Sequence, residues 1–467
     1  MEELSYYLPQ KISVRCNPLN VQGGTSDSSI GADTMGGYVV FAMQNKNNSG
    51  YYSSSFTIVM DMRGNIKNIE PTMHNFPNDF HFISLKPFYS DPSYFIGGLD
   101  IAQNQDGPVY LWNWDGTQEK KYVKLLNGSQ VDCHDVTESV GEEAAWMTSN
   151  GDGFKRMNLR TGEKEFIANF PGYIQDPNHV QMVDDDTIAI VSSRMNNAIV
   201  KVNVTSSEII WIAGGPNGTL DLIDEKGRQY EAGSISLWSG QHNVEYFGED
   251  EYYLFDDGTH VFDGGHTKVH NSSRLMIVKV DEAANTAHIS WMYDLGVWTP
   301  IYGDNDRLPS GNSLGALWTG QRTTKLFDHQ AQIIEVTQEG EMAWEMNVYG
   351  NNSWKAANTF AGWMIYSAER IYDAPLVSRI VCTDGGGGIG LTLSFVTHNS
   401  FKQTSLYDGK YAVYNSTGHE QVNTGFKFKP FWRDTMITVD LPETCDCTGT
   451  LHVTNQYGVK TKKTLQI

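Results

Sequence analysis

Three histidines each stand just ahead of an alternating apolar run that reads as a β-strand. "CHDVTES" carries His134, "PNHVQMV" carries His179 and "GQHNVEY" carries His242. Imidazole serves as nucleophile and as general acid or base near neutral pH, so several together can divide those roles. A guanidinium beside them can hold the oxygens of a transferring anionic group. The candidates are Arg194 in "VSSRMNNA", Arg274 in "NSSRLMIV" and Arg307 in "NDRLPSGN". Trp238 and Trp318 could stack an aromatic ring. The plainer reading makes each histidine a strand cap and each arginine a rim residue. A cap does not require imidazole three times over, which favours a shared site. Three histidines could also hold Zn²⁺ with an open position. Ligands from three distant strands fit that role poorly, and no metal or other cofactor is expected.

The elements that would position these side chains form a repeat. Alternating apolar residues, a polar turn often closed by Gly, and another β-run begin at Ile58, Val109, Phe154, Ile199, Met276 and Gln332. With the hairpins between them, each unit holds about four short strands in roughly 45 to 80 residues. One small twisted sheet cannot bury both faces, but sheets packed around an axis bury them all. The expected fold is therefore all-β: a six-bladed β-propeller over 1–375, followed by an immunoglobulin-like β-sandwich over 376–467. A parallel β-helix is the structural rival, with shorter coils and no such hairpins. Lead strands of neighbouring blades run in the same sense, so His134, His179 and His242 would share one mouth of the channel. The glycine run Gly385 to Gly388 follows no strand-to-helix turn and carries no Lys-Ser/Thr, so it reads as a linker. In the sandwich, Cys382 would pair with Cys445 or Cys447, while Cys133, beside His134, would stay reduced.

The 467-residue chain has a formal charge of −21, which argues against nucleic acid and against anionic membranes. No apolar run is long enough to span a bilayer. The start "MEELSYYLPQ" lacks a signal peptide's basic head and apolar core. Asn-X-Ser/Thr acceptors at Asn47, Asn127, Asn203, Asn217, Asn271, Asn351 and Asn415 lean toward a secreted or endomembrane-lumen protein, with the cytoplasm as the alternative.

At the histidine-bearing segments the chain resembles the arylsulfotransferases that need no nucleotide sulfate donor, and the eukaryotic and fungal branch more than the bacterial one. "NHVQMVDDDTIAIVSSRMNNAIVKVNVTSSEIIWIAGG", "QHNVEYFGEDEYYLFDDG", "SSRLMIVKVDE" and "RLPSGNSLGALWTG" followed by "EGEMAWE" carry the resemblance, over roughly Val131 to Trp354. It implies a six-bladed propeller and sulfuryl transfer between phenols. By resemblance, His134 and His242 match assisting histidines, and His179 matches one before a "DDD"-type turn. Arg274 matches an arginine after an "FDN" hairpin, while the bacterial arginine falls near "DGTHV", where this chain has His260. In the bacterial enzymes the sulfurylated histidine precedes an "LPNGN" turn. Here that segment is "PIYGDNDRLPSGNS", with Asp304, Asn305 and Asp306 and no histidine. Another imidazole must then accept the group, or transfer must be direct. The bacterial enzymes also carry their extra β-domain at the N-terminus.

The expected partner is a small phenolic or other aromatic substrate. A second reading is a secreted propeller that binds a glycan or a protein, its transfer chemistry lost. A third keeps the histidines for a hydrolase, lyase or isomerase.

Overall fold

Segments such as "AIVKVN" and "IAIVSS" are short, apolar and rich in β-branched residues, and they form strands as that composition favours. The computed structural model of the chain describes residues 9, 11–16, 35–46, 52–71, 80–82, 84–101, 109–117, 121–123, 134–139, 143–149, 151–262, 265–319, 329–350, 362–384, 391–442 and 448–465. Every regular element among them is a strand. The chain divides into one unit of Met1–Arg307 with Gly311–Glu369 and a second of Arg370–Ile467 with Leu308–Ser310.

Among the described residues the first unit holds six small sheets of four or more strands. The first runs Gly362–Ile371, Tyr38–Lys46, Tyr52–Asp61, Ile66–Pro71. The second sets Phe80–Phe82 and Lys86–Pro87 against Tyr94–Ile101, then adds Val109–Asn113 and Lys121–Val123. The third is Val136–Glu138, Ala144–Ser149, Gly153–Asn158, Lys164–Asn169, and the fourth Pro177–Val183, Ile188–Ser193, Ala198–Asn203, Glu208–Ala213. The fifth runs His242–Tyr246, Glu251–Asp256, Arg274–Asp281, Thr286–Asp294, then takes Asp221–Ile223 in parallel and Gln229–Tyr230. The sixth is Asp304–Arg307, Ser313–Trp318, Ala331–Val336, Met342–Tyr349 and, at its edge, Lys11–Cys16. A separate hairpin, Thr259–Phe262 with Gly265–Lys268, lies outside these sheets.

The six repeat starts fall on six different sheets, each on the third strand counted from the lead strand. Apolar clusters join successive sheets. Ile96 and Val109 of the second meet Val136 and Met147 of the third. Trp146 and Phe154 of the third meet Val180 and Val191 of the fourth. Ile190 and Trp211 of the fourth meet Val244 and Leu254 of the fifth. Phe255 and Leu275 of the fifth meet Leu317 and Ile334 of the sixth.

The repeat's terminal tryptophans have a physical reason. In "IIWI", "HISW" and "EMAWEM" the indole sits on a fourth strand and donates to a turn of the next sheet. Trp211 Nε1 reaches Glu282 at 2.8 Å, Trp291 Nε1 the Gln338 carbonyl at 2.8 Å, and Trp344 Nε1 the Met62 carbonyl at 2.8 Å. A buried or half-buried indole keeps its one donor satisfied this way while its rings fill the inter-sheet gap.

The second unit has a three-stranded sheet, Leu376–Asp384, Leu391–His398, Thr435–Leu441. Its other sheet is four-stranded, in the order Glu420–Phe428, Tyr407–Tyr414, Thr450–Asn455, Lys460–Thr464. Leu393 and Phe395 of one sheet share a core with Val413, Phe428, Leu451 and Val453 of the other. The contact division falls at Arg370, inside Gly362–Ile371, whereas the sequence reading drew it after Pro375.

Candidate functional site

The lead strands place their side chains at two levels of the first unit. The upper level is aromatic and centres on Tyr366. His242 meets its ring edge-on at 5.7 Å between centroids, His134 lies at 6.0 Å and Tyr302 at 5.3 Å. The Tyr366 hydroxyl donates to the Asn178 carbonyl at 2.9 Å, and Gln44 donates to the Tyr302 hydroxyl at 3.2 Å. Trp318 completes the same cluster with Met364. Behind His242, Asp257 Oδ2 lies 3.0 Å from Nδ1. The two atoms are not aligned as a hydrogen bond, so the contact is electrostatic. Burial pushes the Asp257 carboxyl well above the usual carboxylate range, with Arg194 opposing and Asp256 adding to the rise.

Backbone irregularities aim these groups. His242 pairs with Phe255 and Glu245 with Tyr253, so the strand carries an extra residue between them. That bulge lets two residues three apart both face inward, which a regular strand forbids. Asn243 absorbs the distortion at φ 45, a region Asn tolerates, and its amide donates to the Gly303 carbonyl at 3.2 Å. Gly303 must be glycine, because a Cβ there would lie 2.3 Å from the Phe255 ring. This close approach sets Tyr302 against Tyr366. A second bulge, between Pro177 and His179, does the same for the fourth sheet.

The lower level is ionic. Lys86 Nζ sits 2.7 Å from Glu245 Oε1 and 3.1 Å from Glu369 Oε1, and all three are buried. His179 Nε2 lies 3.1 Å from the same Glu245 oxygen and 3.5 Å from Asp135 Oδ2. Asp135 in turn accepts the Val180 amide at 3.0 Å. Burial works to lower the Lys86 pKa, yet Glu245, Glu369, Asp135 and Asp306 together hold it well above its ordinary value. Lys86, Asp135, His179, Glu245, Asp306 and Glu369 come one from each of the six sheets or the residue leading into it.

The expected trio of equivalent imidazoles therefore divides. His134 and His242 share the Tyr366 ring, while His179 turns to carboxylates. Trp238 is 1% exposed and packed with Trp211 and Leu254 between the fourth and fifth sheets, and Trp318 is likewise buried, in the Tyr366 cluster. Arg274 holds Asp256, its Nε at 2.7 Å, and donates to the Leu237 carbonyl at 3.0 Å. Arg194 pairs with Asp176 at 2.8 Å. A sulfuryl group held by either arginine would have to compete with its carboxylate. Arg307 pairs with Glu251 at 2.8 Å, and His260 is exposed on the separate hairpin. Cys382 is disulfide-bonded, while Cys133, Cys445 and Cys447 lie outside the described residues. Among the described residues no group of three or more His, Cys, Asp or Glu is arranged to hold a metal ion.

The "GDNDR" segment carries a clamp. Asn305 donates to the Leu254 and Met276 carbonyls at 3.1 and 3.0 Å, and Asp304 accepts the Ala368 amide at 3.0 Å. These bonds tie the sixth sheet to the fifth and first.

Residues 177–360 match the arylsulfotransferase (ASST) family. The matched stretch contains His179, His242, Glu245 and Asp257, and it supports an arylsulfotransferase-like function, a chemistry of aryl substrates. No curated protein matches the chain. Among solved structures the chain is similar to one in a nidogen/laminin complex, with 9% identity over 71% of this chain and 98% of that one and a TM-score of 0.38. It is also similar to the periplasmic gluconolactonase of Pseudomonas aeruginosa, with 11% identity, coverages of 71% and 85% and a TM-score of 0.40. A functionally unknown protein from Desulfotomaculum acetoxidans DSM 771 gives 8% identity, coverages of 69% and 88% and a TM-score of 0.34.

Several residues of the two levels carry no clear signal in the sequence. Tyr366 and Glu369 sit in "GWMIYSAERI", beyond the last repeat, and join the first sheet across most of the chain. Lys86 lies on a two-residue strand that carries no periodicity. Asp135 and Asp257 did leave a signal, an acidic residue beside His134 in "CHD" and a doubled aspartate in "FDDG".

Proposed function

We propose that the protein transfers a sulfuryl group from an aryl sulfate to a phenol at the upper level. The convergence of two imidazoles from different sheets on one tyrosine ring carries this reading, with a carboxylate behind one of them. The bond from donor oxygen to sulfur breaks as the bond from acceptor phenol oxygen to sulfur forms. His242 takes the acceptor proton on Nε2, and the imidazolium that results, with Asp257 Oδ2 3.0 Å from Nδ1, draws that carboxyl toward its charged form. His134 protonates the departing phenolate. Tyr366, Tyr302 and Trp318 supply aromatic surface for the rings. Transfer is direct, which agrees with Asn305 and its neighbours being used as a clamp.

The six sheets are read as the blades of a closed propeller. Support comes from the inter-sheet clusters, from Gly362–Ile371 completing the first sheet, and from the Trp344 bond to Met62. The seven strands of the second unit are read as an immunoglobulin-like sandwich around one shared core. The disulfide at Cys382 and the exposure of Asn217 and Asn271 support a secreted or lumenal protein. Incubation with an aryl sulfate and a phenol acceptor tests the activity. Phenolate release together with the sulfated acceptor, seen by mass spectrometry, is expected. Release without sulfated acceptor would point to a hydrolase instead.

A further inference from the structure

Charge is divided unevenly along the chain. Residues 370–467 hold ten Lys and Arg against eight Asp and Glu, net +2, whereas residues 1–369 hold 24 against 47, net −23. Within the second unit the lysines gather on one face. In the four-stranded sheet Tyr411, Val413, Leu451 and Val453 point into the core. Alternation then sends Lys410, His452, Lys460 and Lys462 to the opposite face. Ala412, His452 and Lys462 form one cross-strand row, and Lys410, Thr454 and Lys460 the next. Lys427 shares this face and pairs with Asp408 at 2.7 Å.

Among the described residues, Lys410, Lys460 and Lys462 form no ion pair. Lys460 and Lys462 lie about 7 Å apart along their strand, and Lys410 lies two strands across, about 10 Å from Lys460 and about 12 Å from Lys462. His452 Nδ1 has no hydrogen-bond partner among the described residues, and its ring lies 4.6 Å from that of Tyr414. Burial and the ammoniums of Lys460 and Lys462 lower the His452 pKa, which places those two charges beside it. The face also carries Asp408, paired with Lys427, and Glu420, which holds Tyr414 and Asn423 and feels Lys410, but its four ammoniums outnumber these two carboxylates and favour an anionic ligand.

We infer that this face binds an acidic polysaccharide, a linear chain of carboxylated or sulfated sugars. The face mixes ammoniums with Tyr414, Asn423 and Thr454, groups that hydrogen-bond sugar hydroxyls between the anionic groups. It offers nothing to insert into a bilayer: the unit's exposed large apolar residues, Val381, Leu406 and Met436, lie on other elements. The inference is independent of sulfuryl transfer, and its readout is binding.

The test uses the full chain and immobilised heparin and polygalacturonate, with neutral dextran, phosphatidylserine vesicles and duplex DNA as comparisons. The protein should bind at least one acidic polysaccharide, more weakly as salt rises. The triple variant Lys410→Gln, Lys460→Gln, Lys462→Gln should lose about tenfold or more in affinity with an unchanged unfolding midpoint, as expected when steering and contact charges are removed. Lys→Arg at the same three positions should keep binding, and Lys226→Gln in the first unit should change nothing. Binding of the triple variant equal to wild type would overturn the inference. So would failure of the wild type on both acidic polysaccharides, or tighter binding to vesicles or DNA than to either.

Discussion

Three residues along one strand separate Tyr366 from Glu369, about 10 Å of extended chain, and the two levels they mark differ in kind. At Glu369 the lead strands meet in a closed set of charges, with Lys86 among carboxylates and His179 bridging Glu245 and Asp135. At Tyr366 they meet in rings, with His134 and His242 on opposite contacts of one phenol. The same strands thus carry an ionic cluster and an aromatic one. A buried charge is tolerable only when paired, and at the lower level Lys86, Asp135, His179, Glu245 and Glu369 find their partners on other sheets. The upper level leaves imidazoles among aromatic surfaces that would suit an aryl substrate.

The largest effect should come from breaking the ionic cluster. Lys86→Met leaves Glu245 and Glu369 without their cation, and removing one partner of a buried pair costs about 3 to 5 kcal/mol. Urea unfolding should show that loss, and a cost below about 1 kcal/mol would mean the lower level holds nothing together.

Glu138 sharpens the contrast, because it is a buried carboxyl on the third lead strand whose hydrogen bonds come from Ser90 and not from a cation. Burial pushes its pKa up to about 7 from 4.5. The folded state therefore binds this proton more tightly than the unfolded chain does. Its contribution is intact below about pH 4.5 and is lost as pH rises to about 7. Glu138→Gln should match wild type in stability at low pH and exceed it at pH 8, by an amount on the order of 3 kcal/mol. Equal stability of the two proteins at every pH would contradict that burial effect.

The histidines set the levels directly against each other. His242→Asn should lower turnover by at least ~10²-fold, the scale of a lost general acid or base. Because the side chain is buried, its removal should cost about 1 kcal/mol of stability, the usual size of a single-site loss. His179→Asn should do the reverse, losing roughly 1 to 3 kcal/mol because it leaves buried carboxylate oxygens short of a donor. Paired measurements of unfolding and turnover separate the two, and identical behaviour would erase the distinction between levels. Trp211→Phe, outside both levels, sets the background. It removes the bond to Glu282 and should cost about 1 kcal/mol with no change in turnover per folded molecule.

How much of this was legible depends on distance along the chain. The six repeats were readable because alternation is local, and each landed on its own sheet at the same strand position. His134 and His242 were readable as strand heads. Their partners were not. Tyr366 reaches the site only because Gly362–Ile371 returns to pair with Tyr38–Lys46, a long-range event that no window reveals. Equivalence of position also misled: His179 heads its strand as His242 does, but its neighbour across the gap is Glu245, not a tyrosine. Trp238 packs in an inter-sheet cluster, since an aromatic near a strand head can fill the core as readily as it can line a mouth.

The most direct test of the central claim is the yield of sulfated acceptor from an aryl sulfate and a phenol, measured by mass spectrometry for wild type and His242→Asn at equal folded concentration. The account predicts sulfated phenol from the wild type and at least ~10²-fold less from the variant. Equal yields from both proteins, or no sulfated phenol from folded wild type across a panel of aryl sulfates, would contradict it.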